Sequence, residues 1–500
     1  MISEPALSPF DLYRAGRYTE CLRATEGDDT DETHVVRARV LLQIDRRKEA
    51  FEEAGFVRVR SGDLAATAGA IRCRAASSFG DHEWVDRWLR RDSREYSTLS
   101  AIGRAEIAIA RAVVAMHRGQ PDEMEVALET CDLSSVGPWY DAWRRHLLAW
   151  SAVLRSDISE SLRRLVDLAT FLLSSADASD AILLARCVRG LSGILRDSFS
   201  NDYFENLVEF VARVPWIDEL AEHRFYVMRS LAWAYALHGS ERKSHQCMFE
   251  LLDEPHSAHQ RAMLFADQAY FVLATGCDDM AQPLLDRAIE YANGITWTSA
   301  GEDRLALLNL AILAAERQGD QALGLLKLYD GIAVPLCKTL ALAHDRRLRA
   351  YEDHARGAAL GAVGNLPDGI RLLKCAFATF SSIGFAWRAA SVALWLHKLT
   401  SERKWLREAE SAVAEFPKSA IAREIRRRAS SAEDERLARL TATQRRVFEL
   451  VCRGLSDAAI AAELGIAINT ARNHVAAVRQ SFDARSRAQV VAIARDAGLR

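Results

Sequence analysis

The segment Leu440–Arg500 reads LTATQRRVFELVCRGLSDAAIAAELGIAINTARNHVAAVRQSFDARSRAQVVAIARDAGLR. Thr441, with Gln444 three residues on, makes a capping box and opens a first helix. Val447, Phe448 and Val451 share one side of that helix, which stops at Gly454. Ser456 caps a second helix carrying Ile460 and Leu464, and Gly465 supplies a sharp turn. A third helix is expected from about Asn469 to Phe482. Its apolar residues Ala471, Val475, Val478 and Phe482 recur at i, i+4, i+7 and i+11, the spacing of one buried stripe. Arg472, Asn473, Ala476, Arg479 and Gln480 are then left facing outward. Ser486 and Gln489 form a second capping box and open a fourth helix.

Two helices joined by a tight glycine turn, the second presenting Arg and Asn, suit the major groove of duplex DNA. Arg bonds guanine O6 and N7 together, and Asn bonds adenine N6 and N7. Charge agrees. The segment has nine Arg, no Lys and five acidic residues, a net +4. The whole chain is −3, so the remainder is −7. A basic end on an acidic body is the electrostatic footprint of a DNA binder. Arg445, Arg485 and Arg487 flank the outward face and are expected to meet phosphates.

The segment resembles the LuxR-type (LuxR/FixJ/GerE) DNA-binding domain. The matching residues are Leu440-Thr441, Val447, Leu450, Gly454, Leu455-Ser456, Ile460-Ala461, Leu464, Ile466, Thr470, His474 and Arg485-Ser486-Arg487-Ala488. So long a pattern, spread over the last 61 of 500 residues, is specific in a way that a short helix-turn-helix match is not. The resemblance implies that Arg472, Asn473 and Ala476 face base edges, while Thr470 and His474 lie near the DNA backbone. It also implies dimerisation through the fourth helix (Gln489, Val490, Ile493) on an inverted repeat, with RNA polymerase as a further partner. Several family residues are replaced. Ala458-Ala459 stand where Lys-Glu is usual, Ser481 where Lys is common, Thr443-Gln444 for Arg-Glu, and Ala467 for a capping Ser. Each lost phosphate contact lowers the log–log salt slope by about 0.9, so weaker or more dimer-dependent binding is expected.

Upstream, residues 1–428 carry almost no strand signal. Helices alternate with small polar turns at Gly16, Asp45, Gly80, Gly119, Asp157, Asp197, Gly239, Gly276, Gly319, Gly364 and Thr400. Most spacings fall between the mid-thirties and mid-forties, the period of stacked helical hairpins, which bury together the apolar face that none can bury alone. Some units resemble tetratricopeptide repeats, with small residues seven before the turn and five and twelve after it. These are Ala269, Ala281 and Ala288 around Gly276, and Gly357, Gly369 and Ala376 around Gly364. Around Gly239 they are Ala232 and Ser244, with Leu251 breaking the rule; Gly119 and Gly319 do not fit. Ala378–Thr400 also resembles the helical arrays upstream of LuxR-type domains in large bacterial regulators. The expected fold is therefore all-α: a right-handed, tetratricopeptide-like superhelix over 1–428, a charged linker over 429–439, and a four-helix domain over 440–500.

Five hundred residues exceed one compact core. The opening MISEPALSPF has no basic or apolar leader segment, and no run of 18 apolar residues is present. Nine widely spaced Cys suit reduced thiols, so a cytoplasmic protein is expected. No phosphate-cradling Gly-rich loop with Lys, no receiver-like alternation of strands and helices and no catalytic set is visible. The expected protein is not an enzyme and needs no cofactor. His245, Cys247, His256 and His259 contain zinc-ligand types, but their spacing fits no closed motif, and no metal is expected. Trp139, Trp143 and Trp150 share a helical face, with Arg144 and Arg145 between them. That stripe reads first as repeat core and second as a stacking platform. Asp278-Asp279 reads as a helix start. A protein or peptide on the concave surface is the expected partner of the body, with a small ligand as the alternative and no membrane contact.

Overall fold

The computed structural model describes residues 7–44, 46–92, 98–177, 180–198, 200–252, 256–274, 278–295, 301–337 and 346–496. Every regular element among them is helical. The chain divides into two compact units, 1–420 and 421–500. No described helix is long and apolar enough to cross a membrane. The charged stretch 429–439, expected as a linker, lies within one helix, Ala420–Arg439.

In the first unit, from Gly62 onward, heavily buried helices alternate with partners. The buried ones are α1 (Gly62–Phe79), α2 (Ala101–His117), α3 (Pro138–Leu154), α4 (Ala181–Ser198), α5 (Ala221–Leu237), α6 (Ala258–Ala274), α7 (Gly301–Ala315), α8 (Arg346–Ala362) and α9 (Ala386–Thr400). The partners, such as Ile158–Ser174 and Leu366–Ser382, keep an apolar stripe inward and charge outward. Each partner packs on the buried helix before it. The small-residue register marks close crossings. A Cβ on Gly369 would stand 2.9 Å from the Gly357 carbonyl oxygen, so α8 and Leu366–Ser382 touch backbone to backbone. Ala232, Ser244, Ala269, Ala281, Ala288 and Ala376 are likewise buried.

Gly16, Gly80, Gly119, Gly239 and Gly364 follow helices at positive φ, where glycine carries no Cβ penalty. Asp157 caps Ile158–Ser174, its carboxylate accepting from Glu160 N at 3.1 Å. Two expected turns are corrected. Gly319 opens the helix Gly319–Cys337, and Asp197 lies inside α4. Thr400 is the last residue of α9, whose left-handed cap is Ser401. The expected turns at Asp45 and Gly276 lie outside the described residues, as do the side chains of Asp278 and Asp279.

Distant helices also meet. Asp197 of α4 accepts from Tyr351 of α8 at 2.5 Å and pairs with Arg388 of α9 at 3.4 Å. Trp233 of α5 lies 4.6 Å, centroid to centroid, from Trp387 of α9. The helical array thus curves enough to bring α4 and α5 against α9.

Candidate nucleic-acid interface

The second unit contains α10 (Ala442–Cys452), α11 (Asp457–Leu464), α12 (Ile468–Ser481) and α13 (Arg487–Asp496). The capping box at α10 is complete. Thr441 Oγ1 accepts from Gln444 N at 3.3 Å, and Gln444 Oε1 accepts from Thr441 N at 2.9 Å. Ser456 caps α11 through Ala459 N at 3.2 Å, and Gly465 takes φ +65° at the turn. Only half of the expected box forms at α13. Ser486 Oγ accepts from Gln489 N at 3.2 Å, but the Gln489 side chain accepts from Arg485 N at 2.8 Å.

The apolar stripe of α12 points inward as its spacing predicts. Ala471, Val475, Val478 and Phe482 are buried with Val447, Ile460 and Val490. Phe482 stacks on Phe448 with centroids 4.8 Å apart and planes 8° from parallel. Fully burying each large side chain contributes roughly 1.5–3 kcal/mol, so the inward face fixes where the outward one points. Thr470, Arg472, Asn473, Ala476 and Gln480 form that exposed face, with His474 half-buried beside them. The Arg472 side chain is 64% exposed, and its nearest polar contacts are long: 3.4 Å to Asn469 Oδ1 and 3.9 Å to Asp457 Oδ2. Its guanidinium is open to solvent.

The flanking arginines divide into two kinds. Arg445 is exposed, with Nη2 donating to the Leu437 carbonyl at 3.1 Å, and Arg485 is exposed. Arg479 is half-buried and donates to the Arg485 carbonyl at 2.6 Å. Arg487 pairs with Asp457 Oδ1 at 2.5 Å and also donates to the Leu455 carbonyl. It therefore ties α13 to the start of α11. This internal clamp engages Nη1 and Nη2 and leaves the Arg487 side chain 30% exposed. Sequence spacing alone could not show the clamp, since thirty residues separate Asp457 from Arg487.

Val490 and Ile493 are buried in the core of their own domain, where they hold α13 down. The exposed side of α13 is instead Ala488 and Ala492, with Gln489 and Val491 partly exposed beside them. No side chain caps α12, whose preceding residue is Ala467. Its first backbone N–H groups therefore face outward without a side-chain acceptor.

Residues 438–494 match the family model described as bacterial regulatory proteins, luxR family. This stretch is a LuxR-family helix-turn-helix domain. No curated protein matches the chain. A LuxR-family domain points to a DNA-binding transcription regulator.

The other sequence candidates lie in the first unit. Among the described residues no three potential metal ligands converge. His245 is exposed and Cys247 buried, while His256 and His259 line a cavity. The tryptophan stripe separates. Trp139 donates to Asp180 at 3.0 Å, whereas Trp143 and Trp150 face that cavity. Arg144 and Arg145 turn away to pair with Asp141 at 2.7 and 2.8 Å. It is Arg74, from α1, that lies over the Trp143 ring at 4.8 Å.

Proposed function

We propose that the protein is a sequence-specific transcriptional regulator that binds duplex DNA as a homodimer on an inverted repeat. Residues 1–428 act as its input region and 440–500 as its reading head. The observation that carries this is the exposed Arg472–Asn473 pair on a helix anchored by its opposite face. In this reading α12 enters the major groove, Arg472 and Asn473 address base edges, and Ala476 leaves room for a thymine methyl. Thr470, His474, Gln480, Arg445 and Arg485 lie along the flanking backbone. Ala488 and Ala492 on α13 offer a small-residue surface for a second copy. Contact with RNA polymerase follows from promoter binding and belongs to the same reading.

Selection of genomic fragments with the full-length chain tests it. One inverted-repeat motif is expected, with affinity that falls steeply as salt rises. Arg472→Ala should cost about 1–3 kcal/mol and relax preference at one position of each half-site. If no motif is enriched and duplex binding is absent even at low salt, the helix-turn-helix serves a protein contact instead. The missing family lysines favour that second reading.

A further inference from the structure

The first unit carries a half-open cavity of about 1590 Å³. That exceeds the roughly 300–1,000 Å³ of a typical small-ligand site. The wall carries seven arginines against three carboxylates, Asp197, Asp218 and Glu222. Asp197 is already held by Arg196 at 3.0 Å and by Arg388. Arg74 and Arg186 have no carboxylate within ion-pair distance among the described residues. Unpaired guanidinium groups in a partly desolvated site are unfavourable unless an anion joins them.

Orphaned polar atoms point the same way. Trp143 Nε1 and His146 Nδ1 are buried without a hydrogen-bond partner, and both residues line the cavity. Indole N–H only donates, and both atoms lie sealed behind the cavity surface, so they mark a polar wall rather than a contact to the ligand. The His146 ring sits edge-on between Trp143 and Trp150, with centroids 5.8 and 6.4 Å away. Burial, then Arg186 and Arg74, push the His146 imidazole down to about 3. Burial, then Arg47 and Arg74, push His117 down to about 4. The neighbouring arginines thus add a positive field, which Glu106 near Arg74 and Asp180 near Arg186 offset only at longer range.

We propose that this cavity binds a small organic polyanion bearing a flat ring. Its charged group, phosphate or carboxylate, meets Arg74 and Arg186, and its ring lies against the partly exposed Trp150. The site would be the input of the regulator, and only that regulatory meaning rests on the DNA-binding reading. Binding to the cavity is measured without DNA.

The test titrates the full-length chain at constant ionic strength and follows tryptophan fluorescence and the melting midpoint. ATP supplies both ring and charge, pyrophosphate and citrate supply charge of the two kinds, and adenosine supplies the ring alone. ATP is expected to give a saturable change and a raised midpoint. Whichever of pyrophosphate and citrate competes with it identifies the favoured charged group, and adenosine should do neither. In the Arg74→Gln, Arg186→Gln double variant, ATP should bind at least about tenfold more weakly, as expected on losing two charge-assisted contacts. That variant should melt no lower than the wild type without ligand, because it removes unpaired charge. No saturable response to ATP, pyrophosphate or citrate overturns the proposal. So does equal ATP binding by a folded double variant. Either failure leaves DNA selection by the same chain as a separate result.

Discussion

Asp197 shows how one residue can defy a turn-like sequence. Aspartate after a run of apolar residues reads as a helix end, yet here it is buried within α4. Burial alone would raise its carboxyl, but the Arg196 and Arg388 guanidinium groups and the Tyr351 hydroxyl hold it well below the usual range. Asp197→Asn should lower stability by about 3–5 kcal/mol, since it leaves two buried cations without a counter-charge. Urea unfolding checks this, and a loss below about 1 kcal/mol would mean that water already screens the group. In the second unit, Arg472 and Arg487 look alike in sequence but differ in attachment. Arg487→Ala should lower stability by about 1–2 kcal/mol, discounted for a side chain about a third exposed, and leave the salt slope of DNA binding intact. A slope smaller by about 0.9 would instead show that Arg487 reaches phosphate.

Helix pairing was the most legible element. The small residues around Gly364 foretold where α8 and Leu366–Ser382 touch, because a close crossing admits no larger side chain. The same logic placed the buried stripe of α12, whose period alone assigns its faces. It missed where polar groups supplied the packing. Spacing read an end at Asp197 because it cannot see Tyr351 or Arg388, more than 150 residues away. It read Gly319 as a turn, although the preceding Gln318 and Arg317 make the bend. The crossing has a direct test. Gly369→Ala gains up to about 1 kcal/mol in helix propensity, but its new Cβ would lie 2.9 Å from the Gly357 carbonyl oxygen and the Gly361 nitrogen. Forcing the helices apart costs about 1–3 kcal/mol, so net destabilisation is expected. Gly324→Ala, with nothing within 4 Å of its added Cβ, should stabilise by up to about 1 kcal/mol. Equal gains at both positions, read from thermal midpoints, would refute the close crossing.

At the scale of the whole molecule, the all-α character and the luxR-family domain at 438–494 were legible, whereas the charged cavity was not. Its arginines lie on helices distant in sequence, among apolar neighbours that read simply as core. The same burial gives the body an acid sensitivity. Burial pushes His146 and His354 down to about 3 and His117 down to about 4. An unfolded histidine titrates near 6.5. Between these values the unfolded chain binds more protons than the folded one, so stability rises with pH. The stabilisation is complete above about pH 6.5 and lost as pH falls below it. From pH 7.5 to 5.5 each histidine should remove about 1.3 kcal/mol, or about 4 kcal/mol for the three. Against a typical total of about 5–15 kcal/mol, that is a large fraction. Asp197 contributes nothing over this interval, because its carboxyl remains ionised in both states until pH nears 4. Urea unfolding of the full-length chain at the two pH values decides the matter, with His117→Asn and His146→Asn each expected to remove about 1.3 kcal/mol of the dependence. An unchanged midpoint would mean that water or anions reach these imidazoles in solution. A pH dependence that weakens when pyrophosphate is added would be the mark of an anion in the cavity, since a bound anion favours protonated His146 in the folded state.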